Sequence, residues 1–204
     1  MSEEGGGTTV APHAADHPEL LRLARATLAH YLSAGGLLPY ETDNDWYLTP
    51  AAVFVTLRVR EARDAAGVYG ESWAAGDLRG CIGHVEAERP LIDAVQDATI
   101  KAATADPRFY PVAADELDNL VIEISVLTPL RMVAGLDEIE IGRDGLLIMG
   151  NRRRGLLLPE VPLMYGWGKE AFIRALCQKA GLPEDAWPGG ALLFAFRTES
   201  FEEA

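Results

Sequence analysis

The sequence predicts an α+β fold with antiparallel or mixed sheets flanked by helices. Three observations lead there. Strand-like and helix-like segments follow one another without a regular βαβ alternation, which argues against a doubly wound sheet. Two pairs of strand segments read as antiparallel hairpins. The 204 residues are 49% apolar, enough for one large domain or two small subdomains sharing a core.

The elements follow in order. Leu20, Leu21, Ala24, Leu28, Tyr31 and Leu32 have helical spacing between Asp16 and Ser33. Asp16 is placed to cap that helix, with Pro18 in the first turn, Glu19 three residues after the cap and Gly35-Gly36 at the end. A loop containing Pro39, Asp43, Asn44 and Asp45 comes next. Residues 52–59 are rich in Val, Phe and Thr and predict a strand, with residues 77–85 as its antiparallel partner across a long polar loop. Pro90 opens a second helix whose apolar face is Leu91, Ala94, Val95, Ala98, Ala102 and Ala103. The turn Asp106-Pro107-Arg108-Phe109 stops it, and residues 120–127 predict a β-branched strand. Residues 146–149 and 156–158 predict a second hairpin. Residues 169–179 predict a helix closed by Gly181, and residues 192–196 a final strand.

Composition narrows the function classes. A net charge of −13 disfavours a nucleic-acid partner. The single basic run, Arg152-Arg153-Arg154, reads as a turn of solvated charges or a local anion site. No apolar run reaches the ~18–20 residues that span a bilayer. Residues 1–17 carry glycines, threonines and acidic residues without the basic-then-apolar order of a signal peptide, and are expected to form a disordered arm preceding a domain over 18–204. A cytoplasmic location follows as an expectation, and there the two cysteines, Cys81 and Cys177, stay reduced. No Cys/His spacing suits a metal site, and no phosphate loop, dinucleotide fingerprint, Gly-x-Ser-x-Gly elbow or His-Glu-x-x-His motif is present.

The residues that can carry chemistry centre on Leu78-Arg79-Gly80-Cys81-Ile82-Gly83. Strand alternation puts Arg79, Cys81 and Gly83 on one face and Leu78, Gly80, Ile82 and His84 on the other. A guanidinium beside Cys81 favours the thiolate, the nucleophilic and metal-binding form. Glycines at 80 and 83 allow another group to approach the strand. The competing reading is a small buried thiol with an arginine at a sheet edge. Glu123 and Ser125 share one face of the residue 120–127 strand. A carboxylate inside so apolar a segment needs a partner, and Arg79 and Arg108 are the candidates. Glu123 is thus either a general base or half of a structural ion pair. Arg108 is either a ligand anchor or the residue that holds Glu123. His84 falls on the face opposite Cys81, which disfavours a Cys/His dyad. Cys177, among Phe172, Ile173 and Leu176, reads as core, and Trp167, Trp187, Phe194 and Phe196 read as packing residues.

Taken in order, Phe54-Val55-Thr56-Leu57, the hexapeptide around Cys81, Asp106-Pro107-Arg108-Phe109, Ile122 to Pro129, Gly145-Leu146, Leu157-Leu158-Pro159, Cys177 to Leu182 and Trp187 resemble the AMMECR-one domain family, also called AmmeMemoRadiSam system protein A. The resemblance runs from about Leu20 to Phe201. It implies an α+β fold of two subdomains and a gene association with Memo-like and radical S-adenosylmethionine proteins. It implies no settled activity and names no cofactor. Two departures stand out: a long insertion between Leu57 and Leu78 carrying Tyr69 and Trp73, placed to cover the site, and Glu160 where the family often has Gln. Two functions remain open. One is an enzyme or small-ligand-binding protein, with Cys81 and Glu123 as the chemical groups and Arg79, Gly80, Gly83, Arg108 and Ser125 around them. The other is a non-catalytic partner in a complex with those two proteins.

Overall fold

The computed structural model describes residues 16–62 and 74–204. Most of the expected N-terminal arm, and the expected covering pair Tyr69 and Trp73, lie outside the described residues. The chain divides into two compact units, one of residues 1–126 and 199–204 and the other of residues 127–198. The fold is α+β, with two four-stranded sheets.

The first unit begins with helix α1 (His17–Ala34), which ends at Gly35 with φ 73°. Asp16 does not cap it through its side chain. Glu19 is drawn away from the helix terminus, because its carboxylate accepts from Tyr40 Oη at 2.6 Å and Tyr47 Oη at 2.9 Å. A short helix, α2 (Asp45–Leu48), stands where the sequence suggested only loop, and Asn44 caps it by accepting the Trp46 N–H. Strands β1 (Ala52–Val59) and β2 (Leu78–His84) pair antiparallel. Helix α3 (Leu91–Thr104) follows, then β3 (Leu120–Leu127). After the second unit the chain returns as β8 (Thr198–Glu202), giving the strand order β2-β1-β3-β8.

Helices α1 and α3 bury one face of this sheet. Val53, Val55 and Leu57 of β1 and Ile122 and Ile124 of β3 are at 0% exposure, packed with Leu28, Leu91, Ala94, Val95 and Ala98. Small alanines along α3 let its backbone come close to the strands. Gly80 is where that approach is tightest, because a Cβ there would lie 2.0 Å from the Ala102 carbonyl oxygen.

The second unit carries β4 (Arg131–Met132), the hairpin β5 (Gly145–Gly150) and β6 (Arg153–Leu157), α4 (Val161–Tyr165), α5 (Lys169–Ala180) and β7 (Leu192–Phe196). Its sheet order is β4-β7-β5-β6. The hairpin turn is just Asn151-Arg152, tighter than the sequence suggested, with both residues at positive φ. That backbone matches the twist of two-residue hairpins. Arg152, Arg153 and Arg154 are solvent-exposed. Helix α5 covers one sheet face with Phe172, Ile173, Leu176 and Cys177, so Cys177 is a core residue at 0% exposure.

Candidate functional site

In the first unit, the sheet face turned away from α1 and α3 is polar. Along β1 the alternation that sends Val53, Val55 and Leu57 into the core leaves Phe54, Thr56 and Arg58 on this face. Along β3, Leu120, Ile122, Ile124 and Val126 are core, which leaves Val121, Glu123 and Ser125 beside them. From β2 the half-buried Cys81 joins them, opposite Thr56 in the ladder.

Cys81 is held by three contacts with distinct causes. Its N–H points away from β1 and donates to Asp106 Oδ2 at 2.9 Å. Thr56 and Cys81 therefore form a non-hydrogen-bonded pair, the kind whose side chains lie closest. Thr56 Oγ1 accordingly donates to Cys81 Sγ at 3.3 Å. Burial pushes the thiol above its ordinary value, and the Thr56 hydroxyl and the Arg108 charge only partly oppose that. The resting group is a neutral thiol at physiological pH.

Asp106 organises the edge of β2. Its carboxylate is almost fully buried and accepts from the Arg108 N–H at 3.1 Å, Arg108 Nε at 2.9 Å and Arg108 Nη2 at 2.6 Å, besides the Cys81 amide. The Arg108 hydrogen bonds hold this carboxyl at about 2. Arg108 itself is half exposed, lies over the Phe109 ring at 5.3 Å, and contributes positive charge toward Cys81.

Arg79 departs from its expected place. The ladder pairs Leu57 with Gly80 and Arg58 with Leu78, so Arg79 is an extra residue in a β-bulge. Strict alternation fails at that point, and the guanidinium does not serve Cys81. It is 3% exposed and donates to Glu116 at 2.8 and 3.0 Å, to the Tyr110 carbonyl at 2.9 Å and to the Pro111 carbonyl at 3.4 Å. Gly80 faces α3, and the space over Gly83 is filled by the Phe54 ring, so neither glycine is an open approach for a ligand. Glu123 pairs with Arg58 at 3.6 Å, in place of the expected Arg79 or Arg108. Ser125 Oγ shares a hydrogen bond with Ser200 Oγ at 2.8 Å. His84 turns to the helix side and meets Asp97 of α3, in keeping with its expected separation from Cys81.

The structure thus places Cys81, Glu123 and Ser125 on one sheet face with the Arg108 charge near Cys81, and gives Arg79, Gly80 and Gly83 other neighbours. It adds Thr56, Arg58 and Asp106. Thr56 and Arg58 were visible in the sequence as the polar positions of an otherwise apolar strand. Among the described residues, no group of three or more His, Cys, Asp or Glu gathers as a metal site. No helix among them is long and apolar enough to cross a membrane.

The AMMECR1 family model matches residues 21–201. Protein MJ0810 of Methanocaldococcus jannaschii is 40% identical over 190 residues, covering 90% of this chain and 88% of its own. Protein PH0010 of Pyrococcus horikoshii is 40% identical over 192 residues, with the same coverage. The crystal structure of the latter, described as an uncharacterized protein, superposes with a TM-score of 0.77 at 39% identity, over 91% of this chain and 90% of that one.

Proposed function

The chain belongs to the AMMECR1 family, and on that premise we propose that it binds a small polar molecule on the sheet face around Cys81. The observation that carries this reading is the contrast between the two faces of one sheet. One is helix-covered and apolar except for His84, and the other collects Thr56, Arg58, Cys81, Glu123 and Ser125 along with Phe54 and Val121. A sheet needs only one apolar face to fold. Charged and hydrogen-bonding groups of both signs on the other face supply recognition of a polar ligand.

The chemistry of the face favours binding over a resting nucleophile. Burial keeps the Cys81 thiol protonated, so it offers a soft contact and a weak donor. Arg58 and Arg108 supply cationic donors, and Glu123 supplies an acceptor. Were a bound molecule also transformed, thiolate formation at Cys81 would need that molecule's help, and Glu123 is the carboxylate on the same face to take a proton.

Native mass spectrometry tests the reading. The protein is equilibrated with a small-molecule cell extract and desalted. Retention of a small molecule by the native chain, with loss in Glu123→Gln and Arg58→Gln, is the expected result. No retained molecule, or equal retention by both variants, overturns it.

A second reading, as a docking component beside Memo-like and radical S-adenosylmethionine proteins, has its own observation. Leu163, Met164 and Tyr165 of α4 are 61%, 75% and 64% exposed. Three adjacent large apolar side chains in solvent mark an interaction surface. Co-purification with those two proteins, abolished by Met164→Asp, is the expected result; no complex at micromolar concentration removes this reading.

A further inference from the structure

The second unit holds a cleft of about 500 Å3 that the Cys81 reading does not involve. Arginines reach it from three separate places in the chain: Arg131 on β4, Arg143 in the turn before β5, and Arg197 just after β7. Two carboxylates, Glu138 and Asp144, line it as well. Three guanidiniums therefore face two lining carboxylates, while a third carboxylate, Glu140, holds Arg143 from outside the lining.

The three guanidiniums are not equivalent. Asp144 is buried and accepts from Arg143 Nε at 3.0 Å and Arg143 Nη2 at 2.7 Å, while its other contact is the Glu140 N–H at 2.9 Å. Arg143 is thereby fixed. Arg131 is half exposed and bonded to Glu138 through Nη1 at 2.9 Å, and to the Glu138 carbonyl through Nη2 at 3.0 Å. Arg197 is 60% exposed, and its nearest acidic partner is Asp144 at 3.9 Å, beyond hydrogen-bond reach. Its Nε is ion-paired with Asp144 at long range, and its remaining donors carry no hydrogen bond among the described residues.

We propose that this cleft binds the phosphoryl group of a small phosphate ester, with Arg197 and Arg131 as donors and Arg143 as a fixed positive charge. The choice of anion follows from donor geometry. One guanidinium fork satisfies a carboxylate, whereas a phosphoryl dianion presents three oxygens and suits forks from several directions. The choice of an ester follows from size and lining. The cleft is far larger than one phosphate, and the exposed Pro129 in its lining gives apolar surface for an organic body. This inference is independent of the function proposed for the Cys81 face.

Isothermal titration of the full chain at fixed low ionic strength tests it, with AMP, inorganic phosphate and citrate as probes. AMP is expected to bind at least tenfold more tightly than inorganic phosphate or citrate. Arg197→Gln is expected to weaken AMP binding tenfold or more, and Arg197→Lys to weaken it less. Arg174→Gln, an exposed arginine of α5 paired with Glu184, is the charge-matched control and is expected to leave binding unchanged. Citrate binding as tightly as AMP overturns the phosphoryl assignment, and phosphate binding as tightly as AMP overturns the ester. No AMP binding, or equal losses in Arg197→Gln and Arg174→Gln, overturns the site.

Discussion

The Cys81 amide donates to the Asp106 carboxylate at 2.9 Å, and that one bond ties β2 to the turn that carries Arg108. β2 lies at the edge of its sheet, where outward N–H groups have no neighbouring strand. Asp106 satisfies one of them and at the same time clamps Arg108 near the thiol.

That clamp makes an acid-stability prediction. The Asp106 carboxyl is held at about 2 against an ordinary value of 3.8, chiefly by Arg108, with the Cys81 and Arg108 amides adding to it against burial. The folded state binds this proton less readily than the unfolded chain. The stabilisation is therefore complete above the unfolded value and is lost as pH falls through the folded one. Its size is roughly 2 kcal/mol. Asp106→Asn should lower stability at neutral pH and flatten the loss between about pH 4 and 2, read by urea unfolding at a series of pH values. An unchanged acid profile in the variant would count against the clamp.

The thiol makes a second. Cys81 should titrate above its ordinary value of 9.0, because burial outweighs Thr56 and Arg108. Thr56→Val and Arg108→Ala should each move it further up, and Glu123→Gln should move it down. The pH dependence of iodoacetamide alkylation at Cys81, read by peptide mass spectrometry, measures this. Cys177 should stay unlabelled in the folded protein. A native Cys81 titrating below 9.0 contradicts the account.

Arg79 is expected to matter for folding more than for the site. Removing one partner of a buried pair leaves the other charge stranded, at a cost of about 3–5 kcal/mol. Arg79→Ala should unfold at much lower denaturant. Arg79→Met with Glu116→Leu should recover part of the loss, because both charges then leave together. Recovery should be incomplete, since the Tyr110 and Pro111 carbonyls lose their donor in either variant. If Arg79→Ala instead keeps native stability but changes Cys81 alkylation, the guanidinium serves the thiol after all.

Gly80→Ala is expected to destabilise by at least the ~1–3 kcal/mol of ordinary overpacking. The obstacle is a backbone atom, the Ala102 carbonyl oxygen, so Ala102→Gly should give no rescue. Full rescue by that second change would show that side-chain crowding was the cause.

Much of this was legible in one dimension, for reasons visible in particular residues. The helices over residues 17–34, 91–104 and 169–180 announce themselves by apolar spacing, with glycine stops for the first and last and the Asp106-Pro107 turn for the middle one. β8 was missed because an edge strand reading Thr-Glu-Ser-Phe-Glu has no buried face to impose a pattern. Glu123 and Ser125 could be placed by alternation because β3 is regular. Arg79 could not, because a bulge is a property of two paired strands and leaves no mark in either one alone.

By itself, then, the sequence determined the fold class, the strand carrying Cys81, the exclusion of His84 from its face and the core role of Cys177. Those follow from periodicity, which is local. Tertiary structure decided the partners. It gave Glu123 to Arg58, Arg108 to Asp106 and Arg79 to Glu116, and it closed Gly80 with a helix carbonyl. Charge pairing is set by which side chains reach one another once strands are in register, and register is fixed only when the whole sheet and its helices pack together.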